Sequence, residues 1–406
     1  MDVSIVGCGI SGSICALKLL KEGYNVKIYE KNSTIGIHNQ TKIDITENKS
    51  LNQIFDDLGI DFVEKSNKTK WFSPNYNFNF TSKISDLYIK RGPEKDSFEH
   101  KLAKKILDYG GEINTNSIFK DFIIKNGLVK SIIIENNHQH KTVESDFFVG
   151  ADGSYSTTLD TSPLKKPNKK IGEKIVGYGC ISEHLKIPEK VTYIFFDAKF
   201  IPGGYFFISK TKTGIGVACI VSTESMLNKP LQTYYEKFTK SNYTVSHILN
   251  NSKILNYFSG SCLTGILGKK SFNNFCLVGD AAYVMDPIFG YGVRQSILSG
   301  YAAAESIIES IKKDSNMIID YDFRLKKNFL STEYQMHLLK KVFNRLDNDD
   351  LDFLLKSTSE LHKKNNLDLI LDNPKEYLRY ILQLILRNPI KSSKIGLKGL
   401  LEKINF

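Results

Sequence analysis

Three glycines near the start of the chain, Gly7, Gly9 and Gly12, stand in G-x-G-x-x-G spacing, with Ser11 inside the same turn. Glycines so spaced cradle a pyrophosphate: the first permits a tight strand-to-helix turn, the second lets the backbone approach the ligand, and the third lets helix and strand pack closely. The phosphate charge is then stabilised at the helix N-terminus. Glu30 closes the following strand, where a carboxylate holds two ribose hydroxyls, and an acid there favours the unphosphorylated ribose of FAD or NAD over NADP. Two further turns carry an acid beside a glycine: Asp152-Gly153, with Ser156 after it, and Gly279-Asp280. Asp280 follows an apolar run at 275–278, which puts it at the carboxyl edge of a strand, where ligands bind in open α/β sheets. Gly290, Gly292 and Val293 then open a helix whose free amides and positive dipole end suit negative charge. His138 and His140 have spacing that a metal could use, but no acidic or cysteine ligands accompany them, so a solvated hairpin tip is expected and no metal site.

These groups need a frame to hold them. Val3, Ile5 and Val6 read as a buried strand, residues 10–22 as an amphipathic helix ending near Gly23, and Val26 and Ile28 as a second strand. Tyr76, Phe78 and Phe80 alternate within 71–80, which predicts a strand, with another short one at 87–89. Ser97 is the expected N-cap of a helix running to Tyr109. Residues 112–150 read as a β-meander with turns at Asn126-Gly127 and Asn136-Asn137. Residues 171–267 are mostly β, interrupted by a helix at 231–240, and 316–406 are helical. The predicted fold class is α/β: a Rossmann-like nucleotide-binding domain built from separate pieces (1–70, 86–160 and 268–315), interleaved with an antiparallel β-sheet substrate domain (71–85 and 161–267), followed by a helical C-terminal region (316–406).

Composition narrows the partners. The chain has 406 residues, room for two or three domains, and no apolar run reaches the ~18 residues of a membrane span. Met1 leads straight into the first strand, so no secretory leader is expected. The six cysteines make no C-x-x-C pair and sit mostly in apolar stretches, the pattern of reduced buried thiols in a cytoplasmic protein. Lysine plus arginine, 55, exceeds aspartate plus glutamate, 44, but the lysines are dispersed and no arginine-rich helix appears, so nucleic acid is not an expected partner. Lys391, Lys394, Lys398 and Lys403 alternate with Ile395, Leu397, Leu400 and Leu401. That pattern fits either peripheral contact with the inner face of an anionic cell membrane or a solvated terminal helix.

Taken together, the G-x-G-x-x-G turn, Asp152-Gly153 and Gly279-Asp280 resemble the three ordered fingerprints of the FAD-dependent oxidoreductases of the para-hydroxybenzoate hydroxylase superfamily, over residues 1–315. That resemblance implies bound FAD, with Asp280 on the ribityl chain, Asp152 ordering its turn near the pyrophosphate, and Arg91 close to the cofactor. A narrower resemblance is to the geranylgeranyl reductases, including the digeranylgeranylglycerophospholipid reductases. It rests on Asp286-Pro287, Gly290-x-Gly292 and Ser299-Gly300 within GDAAYVMDPIFGYGVRQSILSGYAAAE, on RGPEKDSFEHKLA, and on PGGYFFISK at 202–210. Two departures stand out: Ser209 and Lys210 occupy the last two places of a strand that ends in Phe-Pro in the family, and the loop after Glu30 lacks the family's cysteine.

The resemblance implies a reductase of isolated prenyl double bonds on membrane glycerophospholipids. Cofactor contacts are expected from Gly7, Gly9, Ser11, Gly12, Glu30, Arg91, Asp152, Asp280, Pro287, Gly290, Gly292 and Val293. Tyr205 and Phe207 are expected at the reacting centre, and Tyr205, Phe206, Phe207, Tyr193, Phe195 and Phe196 are candidates for an apolar wall. With one Rossmann fingerprint and no second, electrons would come from NADPH bound transiently or from reduced ferredoxin. Two alternatives share the frame: an FAD- and NADPH-dependent aromatic monooxygenase, and a non-catalytic prenyl-lipid carrier.

Overall fold

The computed structural model describes residues 1–37, 43–46, 49–166, 172–211, 214–327 and 333–364. The first part of the chain runs β1 (Asp2–Val6), α1 (Ile10–Lys21), β2 (Asn25–Tyr29), β3 (Ile43–Thr46), α2 (Lys49–Leu58), β4 (Glu64–Phe72), β5 (Asn77–Lys90) and α3 (Phe98–Asp108). It continues through β6 (Glu112–Asn114), β7 (Ile118–Lys125), β8 (Leu128–Asn136), β9 (Gln139–Glu144), β10 (Phe147–Gly150) and α4 (Thr157–Thr161). Then follow β11 (Lys174–Glu183), β12 (Val191–Phe195), β13 (Tyr205–Lys210), β14 (Ile215–Thr223), α5 (Leu231–Ser241), α6 (Tyr243–Leu249) and β15 (Lys253–Leu263). Last come β16 (Ser271–Phe272), β17 (Phe275–Leu277), α7 (Val293–Lys312), α8 (Tyr321–Leu325), α9 (Glu333–Phe343) and α10 (Asn348–Lys364).

The strands form three sheets. A six-stranded sheet has the order β16-β17-β10-β1-β2-β6, parallel except for the β16–β17 pair. Its central strands β1, β10 and β17 are buried on both faces, as in parallel sheets covered by helices, and α1, α3 and α7 join them in one core. An eight-stranded sheet, β15-β11-β14-β13-β12-β4-β5-β3, is antiparallel except where β12 runs parallel to β4. A small antiparallel sheet, β7-β8-β9, completes the set. The architecture is thus a Rossmann-like unit interleaved with a mainly antiparallel sheet, with helices α8, α9 and α10 following.

Two expected elements come out differently. Residues 71–80 do not form one strand: β4 ends at Phe72, the chain turns through Ser73-Pro74-Asn75, and β5 begins at Asn77. The Ser73 amide donates to Tyr76 O at 2.8 Å, and Pro74 cannot donate to a ladder. The segment 87–89 is the far end of that same β5. Nor is 112–150 a single meander. Its middle three strands are, but β6 and β10 leave to pair in parallel with β2 and β1. The second hairpin loop is Asn137-His138, one residue later than expected, with both residues at positive φ.

Candidate cofactor and substrate site

The turn between β1 and α1 is built from close backbone approach. Gly7 sits at φ +104°, and a Cβ there would lie 2.3 Å from Ala151 O. A Cβ on Gly12 would lie 2.3 Å from Gly7 O, so the helix can meet the strand only without one. Gly9 differs: nothing lies within 4 Å of where its Cβ would be, which leaves the backbone open to a ligand. Glu30, 9% exposed, anchors the far side of this turn. One of its oxygens accepts the Cys8 amide at 2.9 Å, and the other accepts the Asn32 amide and side chain at 3.0 and 2.6 Å. Three of its four acceptor sites are thereby filled, which fixes the carboxylate and leaves one for a hydroxyl donor. Burial, with the Glu30 and Glu99 charges nearby, pushes the Cys8 thiol up to about 12, so it is no nucleophile.

The other two acids divide the work between them. Asp152 orders its own turn, accepting Ser156 Oγ at 2.7 Å, Thr158 Oγ1 at 2.6 Å and the Thr158 amide at 2.9 Å. Asp280 faces outward from the carboxyl end of β17, and Ser154 donates to it at 2.9 Å. Ser154 therefore ties the second fingerprint to the third, a contact that spacing alone does not reveal. A Cβ on Gly279 would meet Ser11 Oγ at 2.5 Å, and one on Gly300 would meet Ser11 O at 2.2 Å. A Cβ on Gly292 would lie 3.3 Å from Asp280 Oδ1. Ser11, Asp280 and the N-terminus of α7 are thus brought into one place. Gly292 caps α7 without a side chain, and the first amides of a helix have no partner within it. An open phosphate cradle at Gly9, a fixed ribose acid and an acid beside an uncapped helix end are the contacts a flavin dinucleotide requires, and the site fits one.

The loop from Asp286 to Gly292 is a closed turn. Asp286 Oδ1 accepts the Ile288 and Phe289 amides at 3.1 and 2.7 Å, Gly290 N donates to Asp286 O at 3.0 Å, and Asp286 N donates to Tyr291 O at 3.2 Å. Pro287 lies inside this turn. The next two carbonyls are taken by other elements: Tyr205 of β13 donates its hydroxyl to Phe289 O at 2.6 Å, and Lys340 of α9 donates to Ile288 O at 3.2 Å. Lys340 is 2% exposed. Burial pushes its ammonium down to about 8, against the opposing pull of Asp286 and Glu173, and burial raises the Asp286 carboxyl. Lys340 was not foreseen. The stretch HLLKKVF shows only a lysine among apolar residues, with nothing to mark it as buried.

The six aromatic candidates do not share a surface. Side chains alternate along a strand, so Tyr205, Phe207 and Phe196 pack on one face of the eight-stranded sheet with Phe78, Phe80, Phe289 and Phe343. Phe206, Phe195 and Tyr193 pack on the opposite face with Tyr235 and Phe238 of α5. The first three lie on the face that meets Phe289 of the Asp286–Gly292 loop; on the opposite face Phe206 and Phe195 are buried and Tyr193 is partly buried. Tyr205 meets Phe289 edge-on at 5.8 Å. Beyond Phe207 the wall turns polar, since Ser209 Oγ donates to Tyr88 at 3.0 Å and Tyr88 and Thr192 are 2.8 Å apart. Lys210 points the other way, donating to Leu185 O at 3.1 Å.

Arg91 lies at the edge of the nucleotide side, paired through Nε with the buried Glu99 carboxylate. His138 and His140 are at an exposed hairpin tip, His140 3.2 Å from Glu135. Among the described residues no cluster of three or more metal-ligating side chains occurs, and no helix is long and apolar enough to cross a membrane. None of the six cysteines forms a disulfide. The basic segment around Lys391 to Lys403 and the loop at 38–42 lie outside the described residues.

Fold and site together define a Rossmann-like dinucleotide-binding unit joined to a mainly antiparallel sheet. Residues 5–67 match the NAD(P)-binding Rossmann-like domain. Over nearly its whole length the chain is similar to digeranylgeranylglycerophospholipid reductases. It is 25% identical to the digeranylgeranylglycerophospholipid reductase of Methanosarcina acetivorans over 89% of each chain, and 23% identical to digeranylgeranylglycerophospholipid reductase 2 of Methanopyrus kandleri over 96% of each. Its fold matches a geranylgeranyl bacteriochlorophyll reductase-like protein from Thermoplasma acidophilum with TM-score 0.82 at 21% identity, covering 95% of this chain and 98% of that one. A flavin-dependent brominase shares the fold with TM-score 0.69 at 15% identity, covering 98% of this chain and 94% of that one.

Proposed function

We propose that the chain is an FAD-dependent reductase that saturates isolated double bonds of geranylgeranyl chains on archaeal-type membrane glycerophospholipids. The observation that carries the reading is the meeting of an aromatic sheet face, through Tyr205 and Phe289, with the loop that opens α7 beside Asp280. Reduction of an alkene places hydride on one carbon and a proton on the other, and bound reduced FAD supplies the hydride. The protein's own residues do the rest. Gly7, Gly9, Ser11, Gly12 and Glu30 hold the nucleotide half, Arg91 and Asp152 support it, and Asp280, Pro287, Gly290, Gly292 and Val293 hold the flavin half. No carbonyl polarises an isolated alkene, so positioning and exclusion of water contribute much of the catalysis. Phe207, half-buried, offers an apolar surface for that purpose, backed by Phe196 and Phe78, which are buried in one cluster with Leu346, Leu351 and Leu355. Tyr205 already donates its hydrogen to Phe289 O, so in this geometry it positions the loop and does not deliver the proton.

In this reading the six-stranded sheet and its helices hold the cofactor, the eight-stranded sheet, which takes in β3, β4 and the whole of β5 and so reaches beyond 71–85 and 161–267, forms the substrate wall, and helices α9 and α10 cover it. The electron donor is NADPH or reduced ferredoxin. The protein works in the cytoplasm, meeting the membrane peripherally through its basic C-terminal segment. The test is anaerobic stopped-flow of the FAD-loaded, chemically reduced protein mixed with a geranylgeranylated ether lipid or with its fully saturated counterpart. The unsaturated lipid should restore the oxidised flavin absorbance and the saturated one should not. Equal rates with both lipids would refute the assignment.

A further inference from the structure

The contacts of Lys340 form a closed bracket. Its Nζ donates to Ile288 O at 3.2 Å and to Gly203 O at 3.0 Å. Gly203 lies two residues before Tyr205, and Tyr205 donates to Phe289 O, the carbonyl next to Ile288 O. One buried ammonium and one phenol thus hold two consecutive carbonyls of the Asp286–Gly292 loop against the start of β13. The same helix is fixed at its other end, where Glu333 lies 3.4 Å from the buried Lys270. Phe343, one turn beyond Lys340, packs near Phe289 and Phe196 with ring centroids 6.5 and 6.2 Å apart. Helix α9 therefore touches both the loop that leads into α7 and the strand that carries Tyr205 and Phe207.

We propose that Lys340 is a positioning residue that sets the N-terminus of α7 against the aromatic sheet face, so that the helical C-terminal region fixes the geometry between cofactor loop and substrate wall. This deepens the reductase reading and rests on it for the identity of the substrate. The physical reason is the cost of the alternative. Ile288 O and Gly203 O would each lose a charge-assisted hydrogen bond, Gly203 O keeping only the Thr223 hydroxyl at 3.3 Å, and the loop would relax to recover partners. Asp286 on the loop balances the ammonium charge, with Glu173 also within electrostatic reach and Arg294 acting on Asp286 in turn. An uncharged side chain of the same length cannot satisfy that arrangement.

The test compares wild type, Lys340→Met and Lys340→Arg by hydrogen–deuterium exchange of the apoprotein and by the flavin midpoint potential of the FAD-loaded protein. In Lys340→Met, exchange across 286–293 should rise by roughly tenfold while β1, β2 and α1 keep their protection. The midpoint potential should shift, and Lys340→Arg should return both toward wild type. With the lipid, kcat should fall while KM changes little. Should Lys340→Met not fold, Tyr205→Phe reads the same bracket from its other end and must also raise exchange at 286–293. Unchanged loop exchange and potential in folded Lys340→Met, or unchanged loop exchange in Tyr205→Phe, would overturn the proposal. If wild type does not reduce the lipid, the substrate assignment fails, yet exchange and potential still decide the role of Lys340.

Discussion

The two large sheets present their working groups in different ways. In the six-stranded sheet the site is made of backbone. Gly7, Gly12 and Gly279 are set by approaches of 2.3 to 2.5 Å that leave no room for a side chain, and the acids Glu30 and Asp152 spend most of their capacity ordering the turns around them. In the eight-stranded sheet the backbone is a regular ladder, and everything specific lies in which side chains stand on which face. Backbone constraints tolerate almost no substitution. A ladder accepts many, which is how Ser209 can stand where the family carries an aromatic residue and be satisfied by Tyr88.

Substitutions can break that contrast, beginning with the largest effect. Gly12→Val should leave no folded flavin-binding protein, because its Cβ would meet Gly7 O inside a close-packed core. Soluble yield and flavin absorbance check this. Phe206→Ala and Phe207→Ala separate the two faces of β13. Phe206 is fully buried against α5 and should cost about 3–5 kcal/mol of stability in denaturant unfolding with KM for the lipid unchanged. Phe207 is half-buried on the other face and should cost less stability but raise KM. Asp280→Ala should weaken FAD binding roughly 10- to 100-fold, the loss of a hydrogen bond to a charged group, as read by fluorescence titration. Tyr205→Phe should cost about 1 kcal/mol of stability by thermal denaturation, since only the hydroxyl bond to Phe289 O is removed.

The same contrast explains what could be read from the chain before its structure. Gly7, Gly9, Gly12 and Glu30 are close in sequence because one turn and one βαβ unit hold them, so spacing encodes the geometry. Asp280 and the Gly290-x-Gly292 turn were legible because each sits at the end of an apolar run. The wall was only half legible. In Tyr205-Phe206-Phe207 the residue types were clear, but two neighbours on a strand cannot face the same way, so Phe206, Phe195 and Tyr193 went to the core. The run at 71–80 carries aromatic residues on both sides of Pro74, with alternation only in Tyr76, Phe78 and Phe80 after it, which hid the hairpin. Ser154 and Lys340 left no mark, since their partners lie 52 to 137 residues away along the chain, and a lone serine or lysine has no pattern.

The central claim, that this fold delivers hydrogen to a prenyl double bond, is tested most directly by mass spectrometry of a geranylgeranylated glycerophospholipid after anaerobic incubation with the reduced, FAD-loaded protein. The account predicts products heavier by successive pairs of hydrogens, matched by stoichiometric oxidation of the flavin. A lipid of unchanged mass beside a flavin that oxygen or another acceptor can still oxidise would contradict it.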